Sequence, residues 1–389
     1  MVYVVKNLPG DGPQVHVLVI GVSAYPSLPR QHEAPVAGTF GLKRLSSPAL
    51  SAHRFQQWIR KAGRTGQLPK PLGTLQVLLS PSARERAVEP DLAGWEDNAT
   101  ARDVIEAVNR WKDHAKEHPD GIALFYFAGH GIQRNRDDAV LICDDFGATP
   151  NISAHTLDFG NVIGGMAPEN DADPIARSQV YFIDACRKLP SQILGFERIN
   201  VGQAFLAPLG GRDNRKRPVF FGTVPDDVAY GFDGQVSDFT GALLLGLSKA
   251  APRRGQNNEW PVTDIALNEF LGLHLAERWE TTGQEYQLGG AGFSVPICHL
   301  RAPPDVSFKV SIAPDAAIDC TTITIQDPAT HTPVWHKTVP TRPDHPYPVV
   351  LKAGIYELSA EPSLPDFARP QPAYESVDHL LRVWPVSLS

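Results

Sequence analysis

Two apolar runs, each ending in a reactive side chain, constrain most strongly what this chain can fold into. The run GIALFYFAGHGIQ (121–133) places His130 between two glycines, and the run SQVYFIDACRK (178–188) delivers Cys186 just after Asp184. Both runs are apolar on both faces, as buried strands of a parallel sheet are. Because loops at the carboxyl ends of parallel strands form a common crevice, we expect the imidazole and the thiol to lie within reach of each other.

The rest of the first three hundred residues predicts an α/β fold in which strands alternate with helices. Such alternation favours a mostly parallel sheet covered by helices on both faces. The predicted strands are Val17–Val22, Leu75–Leu79, Ile122–Phe127, Ala139–Cys143, Val180–Ile183, Val219–Gly222 and Phe293–Ile297. The predicted helices are Pro48–Ala62, a helix that starts near Thr100, Phe239–Leu247 and Thr263–Trp279.

The pattern changes after Arg301. Prolines become frequent, helical periodicity ends, and short alternating segments such as VSFKVSIAP and TTITIQ lie between Pro, Asp and Gly turns. This pattern is typical of a small all-β sandwich. We therefore predict two domains, an α/β domain over residues 1–300 and an immunoglobulin-like β-sandwich over residues 303–389, the second without any motif that indicates its role.

The bulk composition narrows the class of protein. The chain has 389 residues, 42% of them hydrophobic, and a net charge of −7, which argues against direct binding of nucleic acid through bulk electrostatics. The sequence contains no apolar run of membrane-spanning length and no signal-peptide pattern, so we expect a cytoplasmic protein without membrane contact. Four scattered cysteines without a CxxC pair argue against a disulfide framework or a zinc site.

A thiol close to an imidazole has a specific chemistry. The thiolate is the strong nucleophile, and the imidazole stabilises that form or accepts its proton. His130 would act as general base and then as general acid toward the leaving group. The residue pattern therefore predicts nucleophilic catalysis by Cys186 and His130. The competing interpretation of a lone buried Cys and a lone His is a small apolar side chain and a satisfied ring.

The blocks FYFAGHG and IDACR resemble the histidine and cysteine blocks of the caspase-like cysteine peptidases, the group of caspases, metacaspases, paracaspases and their bacterial relatives (the C14 type). The histidine precedes the cysteine by about fifty residues, as in that family. The segments HVLVIGVSAYP from His16 and VFFGTVPDDVAYGFDGQVSDFTGALLLGL from Val219 share the resemblance, which spans roughly residues 15–300. The run PALSAHRF departs from it, because metacaspases often carry Asp-Ala in that helix.

The resemblance implies a caspase-like fold and a cysteine endopeptidase that hydrolyses peptide bonds through a Cys186–His130 dyad. It also implies that the backbone N–H groups of Gly131 and Cys186 stabilise the oxyanion. Bacterial relatives often act as effectors in stress or defence responses, which is the role we expect here. The alternative is a catalytically inactive caspase-fold module that acts by interaction.

Asp184 is the residue that most bears on specificity. The resemblance links an aspartate two residues before the nucleophile to cleavage after Arg or Lys, and a carboxylate in the pocket would pair with such a cation. The family uses a second acidic residue, for which the candidates are Glu33, Asp226 and Asp227. Two alternatives stay open: Asp184 only orients the nucleophile loop, or the enzyme cleaves after Asp as caspases do.

Two further charged segments carry predictions. The basic segment before the strand at Val219 lies where caspases are cut during maturation, so Arg212, Arg215, Lys216 and Arg217 are candidate self-cleavage positions, or else an ordinary solvated loop. The acidic residues Asp144, Asp145, Asp158, Glu169, Asp171 and Asp173 lack the spacing of a calcium loop. We therefore expect a solvated acidic loop and no cofactor or metal, although some metacaspases require calcium. The partners that we expect are a protein or peptide substrate and a regulatory protein or ligand that binds the C-terminal domain.

Overall fold

The computed structural model describes residues 2–7, 12–36, 39–96, 98–135, 138–149, 151–185, 202–205, 212–222, 234–252, 254–255, 259–282, 292–338 and 342–388. The chain divides into two compact units, the first formed by Met1–Leu244 and Leu271–Ile297 and the second by Leu245–Phe270 and Cys298–Ser389. The predicted domain boundary between residues 300 and 303 stays a prediction.

Among the described residues, nine strands lie entirely within the first unit. They are β1 (Val2–Lys6), β2 (Val15–Val22), β3 (Leu72–Ser80), β4 (Ile122–Gly129), β5 (Gly131–Asn135), β6 (Asp138–Ile142), β7 (Thr156–Asp158), β8 (Ser178–Ala185) and β9 (Val219–Phe221). The helices of the described residues are α1 (Pro48–Arg64), α2 (Ala83–Val88), α3 (Pro90–Ala93), α4 (Ala101–Ala115), α5 (Phe159–Gly165), α6 (Asp238–Lys249) and α7 (Asp264–Thr282), of which α6 and α7 run from one unit into the other.

Six strands form the central sheet in the order β1-β3-β2-β4-β8-β9. Every neighbouring pair is parallel except β1 with β3, which is antiparallel at the edge. The parallel order requires a crossover between successive strands, and helices α1 and α4 are such crossovers. A second, antiparallel sheet in the order β5-β6-β7 follows directly from the end of β4.

Both faces of the central sheet are covered, as the apolar runs predict. Successive side chains of a strand point to opposite faces, so Phe125 and Tyr126 of β4 separate the two layers. On one face Phe125 meets Trp111 of α4, with 5.7 Å between ring centroids. On the other face Tyr126 stacks on Phe55 of α1 at 4.6 Å. The mixed α/β sheet with helices on both faces is thus confirmed.

The second unit carries nearly all of the C-terminal strands, and the strand that starts at Pro296 begins in the first unit. Those after β9 are β10 (Trp260–Thr263), β11 (Pro296–Leu300), β12 (Asp305–Ala313), β13 (Thr321–Gln326), β14 (Pro333–Lys337), β15 (Tyr347–Lys352), β16 (Gly354–Pro362), β17 (Ala373–Val377) and β18 (Val383–Ser387). Two sheets, β15-β12-β18 and β14-β13-β16-β17, share one hydrophobic core that includes Phe308, Ile323 and Trp384. The predicted all-β architecture of this region is confirmed.

The sequence predicts the long elements better than the short ones. Strands β2, β3, β4 and β8 and helices α1 and α4 lie where predicted, with ends that differ by a few residues. The expected strand at Phe293–Ile297 instead begins at Pro296. Among the described residues, no helix is both long and apolar enough to cross a membrane.

Candidate active site

The site begins at the carboxyl ends of β4 and β8. These two strands pair in parallel from Ile122 with Ser178 to Gly129 with Ala185. His130 directly follows Gly129, and Cys186 directly follows Ala185. Cys186 itself lies outside the described residues, so the observed pairing of β4 with β8 ends one residue before it, at Ala185.

The two ring nitrogens of His130 have different surroundings. Its Nε2 lies 2.6 Å from the carbonyl oxygen of Lys43. Because a carbonyl can only accept, Nε2 carries the proton and Nδ1 keeps its lone pair. Within the described part of the chain, the buried Nδ1 has no hydrogen-bond partner. The tautomer set by Lys43 therefore leaves Nδ1 as the basic nitrogen.

Burial determines the charge state of this imidazole. His130 is only 6% exposed. Burial lowers its pKa from 6.5 to about 4, against a smaller upward effect of the Lys43 carbonyl. Near neutral pH the ring is therefore neutral and can accept a proton, as a general base must.

Tyr25 holds the backbone of the same residue. Its hydroxyl accepts a hydrogen bond from the backbone N–H of His130 at 2.8 Å and donates to the carbonyl of Ile142 at 3.2 Å. A Cβ at Gly129 would lie 2.8 Å from this hydroxyl. Glycine at position 129 is therefore required for close approach, since any side chain there would displace the group that holds His130.

Gly131 begins the hairpin that leads away from the site. It pairs with Leu141, and the carbonyl of His130 accepts from the backbone N–H of Ile142 at 3.0 Å. This pairing fixes the peptide on the far side of the histidine. The role of the Gly131 N–H in an oxyanion hole stays a prediction.

Asp184 lies inside the protein at the end of β8. It is 3% exposed, and its Oδ2 accepts from Thr240 Oγ1 at 2.7 Å, from Tyr126 Oη at 3.4 Å and from Ser237 Oγ. Burial raises the pKa of its carboxyl, while the bonds from Ser237 and Thr240 lower it. These contacts tie β8 to β4 and to the start of α6, so the carboxylate has a structural role whatever else it does.

The second oxygen of Asp184 faces a different neighbour. A Cβ added at Gly222, just beyond β9, would lie 3.2 Å from Oδ1. Ser237 is in turn held through its backbone N–H by Ser51 Oγ of α1 at 2.9 Å. Ser51 belongs to the PALSAHRF run, so the part of the sequence that departs from the metacaspase pattern contacts the partners of Asp184.

The candidates for a second acidic residue lie in two places. Asp226 and Asp227 are outside the described residues. Glu33 is exposed, and its carboxylate accepts from the backbone N–H of Arg30 at 2.7 Å, a bond that lowers its pKa. The observed contacts of Glu33 lie within its own turn, and its predicted role in substrate binding stays a prediction.

A basic cavity of about 450 Å³ lies beyond the carboxyl ends of β2 and β3. Arg44 connects it to the site, because the preceding residue, Lys43, holds His130. The cavity is lined by Ala24, Arg30, Gln31, His32, Arg44, Leu45, Ser46, Pro81, Ser82, Ala83 and Arg84. This lining carries three guanidinium groups and no carboxylate, so its charge favours an anionic group.

The basic segment is only partly a solvated loop. Arg215 is 8% exposed, donates from Nε and Nη2 to Asp213 at 2.8 Å each, and also donates to the carbonyl of Ile163 at 2.7 Å. Lys216 forms an isolated bridge with Ser178 at the start of β8. Arg212 and Arg217 are exposed. The solvated-loop interpretation is therefore wrong for Arg215.

The acidic residues between the two blocks serve local structure. Asp145 accepts from Ala101 N and His155, Asp158 caps α5 through Asn161 N, and Asp171 accepts from Arg212 N. Glu169 forms ion pairs with Lys112 and Lys116. Asp144 accepts hydrogen bonds from the backbone N–H of Ala99 and from the Ser80 hydroxyl. Asp173 accepts hydrogen bonds from the backbone N–H groups of Glu169 and Ile175. Asp144, Asp158 and Asp173 are buried, so the expectation of a solvated loop is wrong for these three.

The sequence gives no signal for the groups that orient His130. Lys43 acts through its backbone carbonyl, which every residue has, and it is 87 residues away along the chain. Tyr25 lies in the apolar segment from His16 that carries the family resemblance, but nothing in its surroundings indicates a contact with His130. The tertiary structure is required to find either one.

Comparison with known proteins identifies the family to which this chain is similar. The family model of the caspase domain, peptidase C14, matches residues 14–264, more than half of the chain. An uncharacterized protein, y4kE of Sinorhizobium fredii, is 25% identical over 265 residues, which cover 63% of this chain and 70% of that protein. The crystal structure of caspase-1 from Spodoptera frugiperda matches with 11% identity and a TM-score of 0.40, over 76% of this chain and 96% of that one. With His130 and Cys186 both inside the matched residues, the chain belongs to the caspase-domain family of peptidases, C14.

Proposed function

We propose that this chain is a cysteine endopeptidase in which Cys186 is the nucleophile and His130 the general acid and base. One observation carries the proposal: the buried Nδ1 of His130 has no hydrogen-bond partner among the described residues, at the end of a strand paired up to the residue before Cys186. A buried polar atom without a partner is costly and is expected where a functional group will meet it.

The proposed reaction follows from the tautomer. Nδ1 accepts the thiol proton as the sulfur of Cys186 attacks the scissile carbonyl, and Lys43 stabilises the imidazolium that forms. The imidazolium then gives the proton to the leaving amine. Water hydrolyses the acyl-enzyme by the same steps in reverse. The backbone N–H groups of Gly131 and Cys186 are the proposed donors to the oxyanion.

For specificity we propose cleavage after Arg or Lys, with Asp184 as the group that meets the cation. Its carboxylate is desolvated, and an incoming guanidinium would pair with it strongly. Gly222 packs closely against Asp184, since a Cβ there would lie 3.2 Å from Oδ1 and 2.9 Å from the Phe239 ring, so binding of the cation would require Asp184 to become accessible. The alternative of cleavage after Asp has its own support in the basic cavity with Arg30, Arg44 and Arg84.

The experiment is turnover of fluorogenic peptides that end in Arg, Lys or Asp by the wild type, Cys186→Ala and Asp184→Asn, with and without calcium. We expect turnover after Arg and Lys, none in Cys186→Ala, and a loss of about 10²-fold in Asp184→Asn. Thr240→Val is the matched control, since it removes one hydrogen bond to Asp184 and keeps its charge. Turnover after Asp alone would assign specificity to the cavity instead.

The inactive-module alternative is tested on the thiols. Cys143 and Cys298 are buried, and burial raises the pKa of both. They should therefore react slowly with iodoacetamide. A Cys186 that is labelled much faster than these and than Cys320 supports the peptidase, and equally slow labelling of all four supports a non-catalytic module.

We also propose self-processing in the basic segment, after Arg212. Arg212 is exposed, Arg215 is buried in its contacts with Asp213, and Arg217 precedes a proline. Intact mass after prolonged incubation should show a cut after residue 212 in the wild type and none in Cys186→Ala or Arg212→Ala. Loss of the cut in Arg217→Ala but not in Arg212→Ala would contradict this position.

The wider role is also part of the proposal. Membership of a peptidase family implies a protein substrate. We propose in addition that the C-terminal unit binds a regulatory protein or ligand, and that the enzyme is a cytoplasmic effector in a stress or defence response. Pull-down with the intact chain and with its Cys186→Ala variant, which traps substrates without cutting them, would test both.

A further inference from the structure

Two histidines and a glutamate meet at the end of the central sheet where β2 begins. His16 is the second residue of β2, His114 lies in the last turn of α4, and Glu117 follows that helix. One ligating atom from each of the three lies within 4.8 Å of the other two. His16 Nε2 is 3.6 Å from Glu117 Oε2, and His114 Nδ1 is 2.7 Å from Glu117 Oε1.

The His16 ring is buried and contacts several neighbours. It is 3% exposed, its Nδ1 lies 3.1 Å from Thr74 Oγ1, and its ring stacks on that of His114 at 5.5 Å. Trp111 Nε1 donates to the carbonyl of His16 at 3.0 Å. A Cβ at Gly73 would lie 2.7 Å from the His16 ring, so glycine there makes room for it. The hydroxyl on Nδ1 orients Nε2 toward Glu117, as an outer partner orients a metal-binding histidine.

We propose that His16, His114 and Glu117 bind a divalent transition-metal ion of the zinc class. Two imidazoles and one carboxylate are a ligand set that suits Zn²⁺ and leaves one position for water. Bonds of about 2.0–2.2 Å in tetrahedral geometry separate neighbouring ligands by roughly 3.3–3.5 Å. The His16–Glu117 distance already fits. The His114–Glu117 hydrogen bond would be replaced by metal bonds, and Glu117 is exposed, so its side chain has room for that shift.

A second group of potential ligands, His53, Glu89 and Asp91, provides a contrast. There Arg54 already pairs with Glu89 at 2.5 Å, and Gln57 Nε2 lies 2.8 Å from His53 Nε2. A cation would have to displace an arginine and an amide, so the first cluster is the better site.

The proposed site is remote from His130. His16 pairs with Ala123 at the start of β4, and Gly129 ends that strand. Six residues of strand place the two ends about 20 Å apart. The metal would therefore clamp β2 to α4 and stabilise the fold, without entering the chemistry of Cys186. The proposal does not depend on the proposed function.

The experiment is calorimetric titration of the full chain with ZnCl₂ and thermal unfolding with and without the metal, in a Cys186→Ala background so that the reactive thiol cannot bind zinc. We expect one site, a rise in Tm with zinc, and weakening by about tenfold or more in His114→Ala and in Glu117→Gln. CaCl₂ should not raise Tm, since calcium prefers oxygen ligands.

His118→Ala is the matched control, because it removes a nearby histidine outside the cluster and should bind like the parent. Co²⁺ absorption gives an independent readout, with a tetrahedral spectrum that both cluster variants lose. Absence of zinc binding in the parent would overturn the proposal. So would equal affinity in the parent and in Glu117→Gln, a variant that keeps the shape of the side chain and therefore the fold.

Discussion

Strands β4 and β12 represent two ways of building a sheet in one chain. Every residue of β4 is buried, whereas in β12 buried and more exposed residues alternate. A strand covered on both faces has no side chain available for chemistry along its length, so a reactive group can only stand at its end, as His130 does. The β12 sheet instead leaves one face accessible. The catalytic candidates are therefore concentrated at strand ends in the first unit, and any binding by the second would use a face.

Two buried tyrosines show the same contrast in hydrogen bonding. The hydroxyl of Tyr25, in the first unit, both accepts from His130 N–H and donates to a carbonyl. The hydroxyl of Tyr347, in the second unit, is buried without a hydrogen-bond partner among the described residues. The hydroxyl of Tyr25 therefore positions the His130 backbone, whereas the recorded contribution of Tyr347 to the sandwich core is the packing of its ring.

The largest expected effect is on catalysis at the strand end. His130→Ala should lower kcat/KM for the peptide substrates by about 10³-fold, because the proposed general base for Cys186 is lost. His336→Ala, at an exposed position on β14 of the second unit, should leave it unchanged. Equal losses in the two variants would show that the contrast between the units does not govern activity.

The next effect concerns strand burial. Leu124→Asn in β4 should lower the free energy of unfolding by about 4 kcal/mol, because it removes apolar contacts and buries an amide in a site that is 1% exposed. Val350→Asn in β15, at a site 59% exposed, should cost at most about 1 kcal/mol. Urea unfolding followed by circular dichroism measures both. Similar costs would mean that β4 is not covered on both faces.

The third effect is a pH dependence of stability from His130. The pKa of His130 is about 4 in the folded chain and 6.5 in the unfolded chain. Between these two pH values His130 is therefore protonated in the unfolded chain and neutral in the folded chain. Stability should therefore fall as pH falls through this window, by about 3 kcal/mol in total for this group.

Burial also lowers the pKa of His16 to about 4, so His16 contributes to the same dependence of stability on pH. The contribution of His130 is therefore measured as the difference between the wild type and His130→Ala. Unfolding free energies from about pH 4 to 7 should show a smaller slope in His130→Ala than in the wild type, with the part due to His16 retained. An unchanged slope would mean that the His130 ring is charged in the folded protein.

The smallest effect separates the two tyrosines. Tyr25→Phe leaves the backbone N–H of His130 buried without its acceptor and should cost about 1–2 kcal/mol. Tyr347→Phe removes a hydroxyl that has no hydrogen-bond partner among the described residues, so it should be neutral or slightly stabilising. Thermal unfolding of the two variants side by side measures the difference. A larger loss of stability in Tyr347→Phe would reverse the expected order.

Local pattern explains which parts of the fold could be predicted. Continuous apolar runs predict β4 and β8, and the alternating apolar residues after Arg301 predict the C-terminal sheets. Both predictions are possible because the burial of a strand determines which of its positions are apolar. The short strands β5 and β7 have no clear apolar pattern in the sequence, since they are defined by their pairing with β6.

The site divides in the same way. His130 and Asp184 can be proposed from the sequence as site residues, because the chemistry expected of them depends on their side chains. Their partners cannot: Lys43 contributes only a carbonyl, and Ser237 and Thr240 reach Asp184 from more than fifty residues away. Hydrogen bonds over such separations depend on how the sheet and helices assemble, and no local spacing encodes them.

The contacts of Arg215 have a practical consequence for anyone who purifies this protein. A chain cut after Arg212 would keep Asp213 and Arg215 joined to the body through Ile163 and Gln179, and β9 would stay paired with β8. The two fragments would then separate on a denaturing gel yet elute together as a single particle in gel filtration. Preparations that look homogeneous by hydrodynamic size could therefore hold intact and nicked molecules together, and only mass or sequence analysis of the ends would tell them apart.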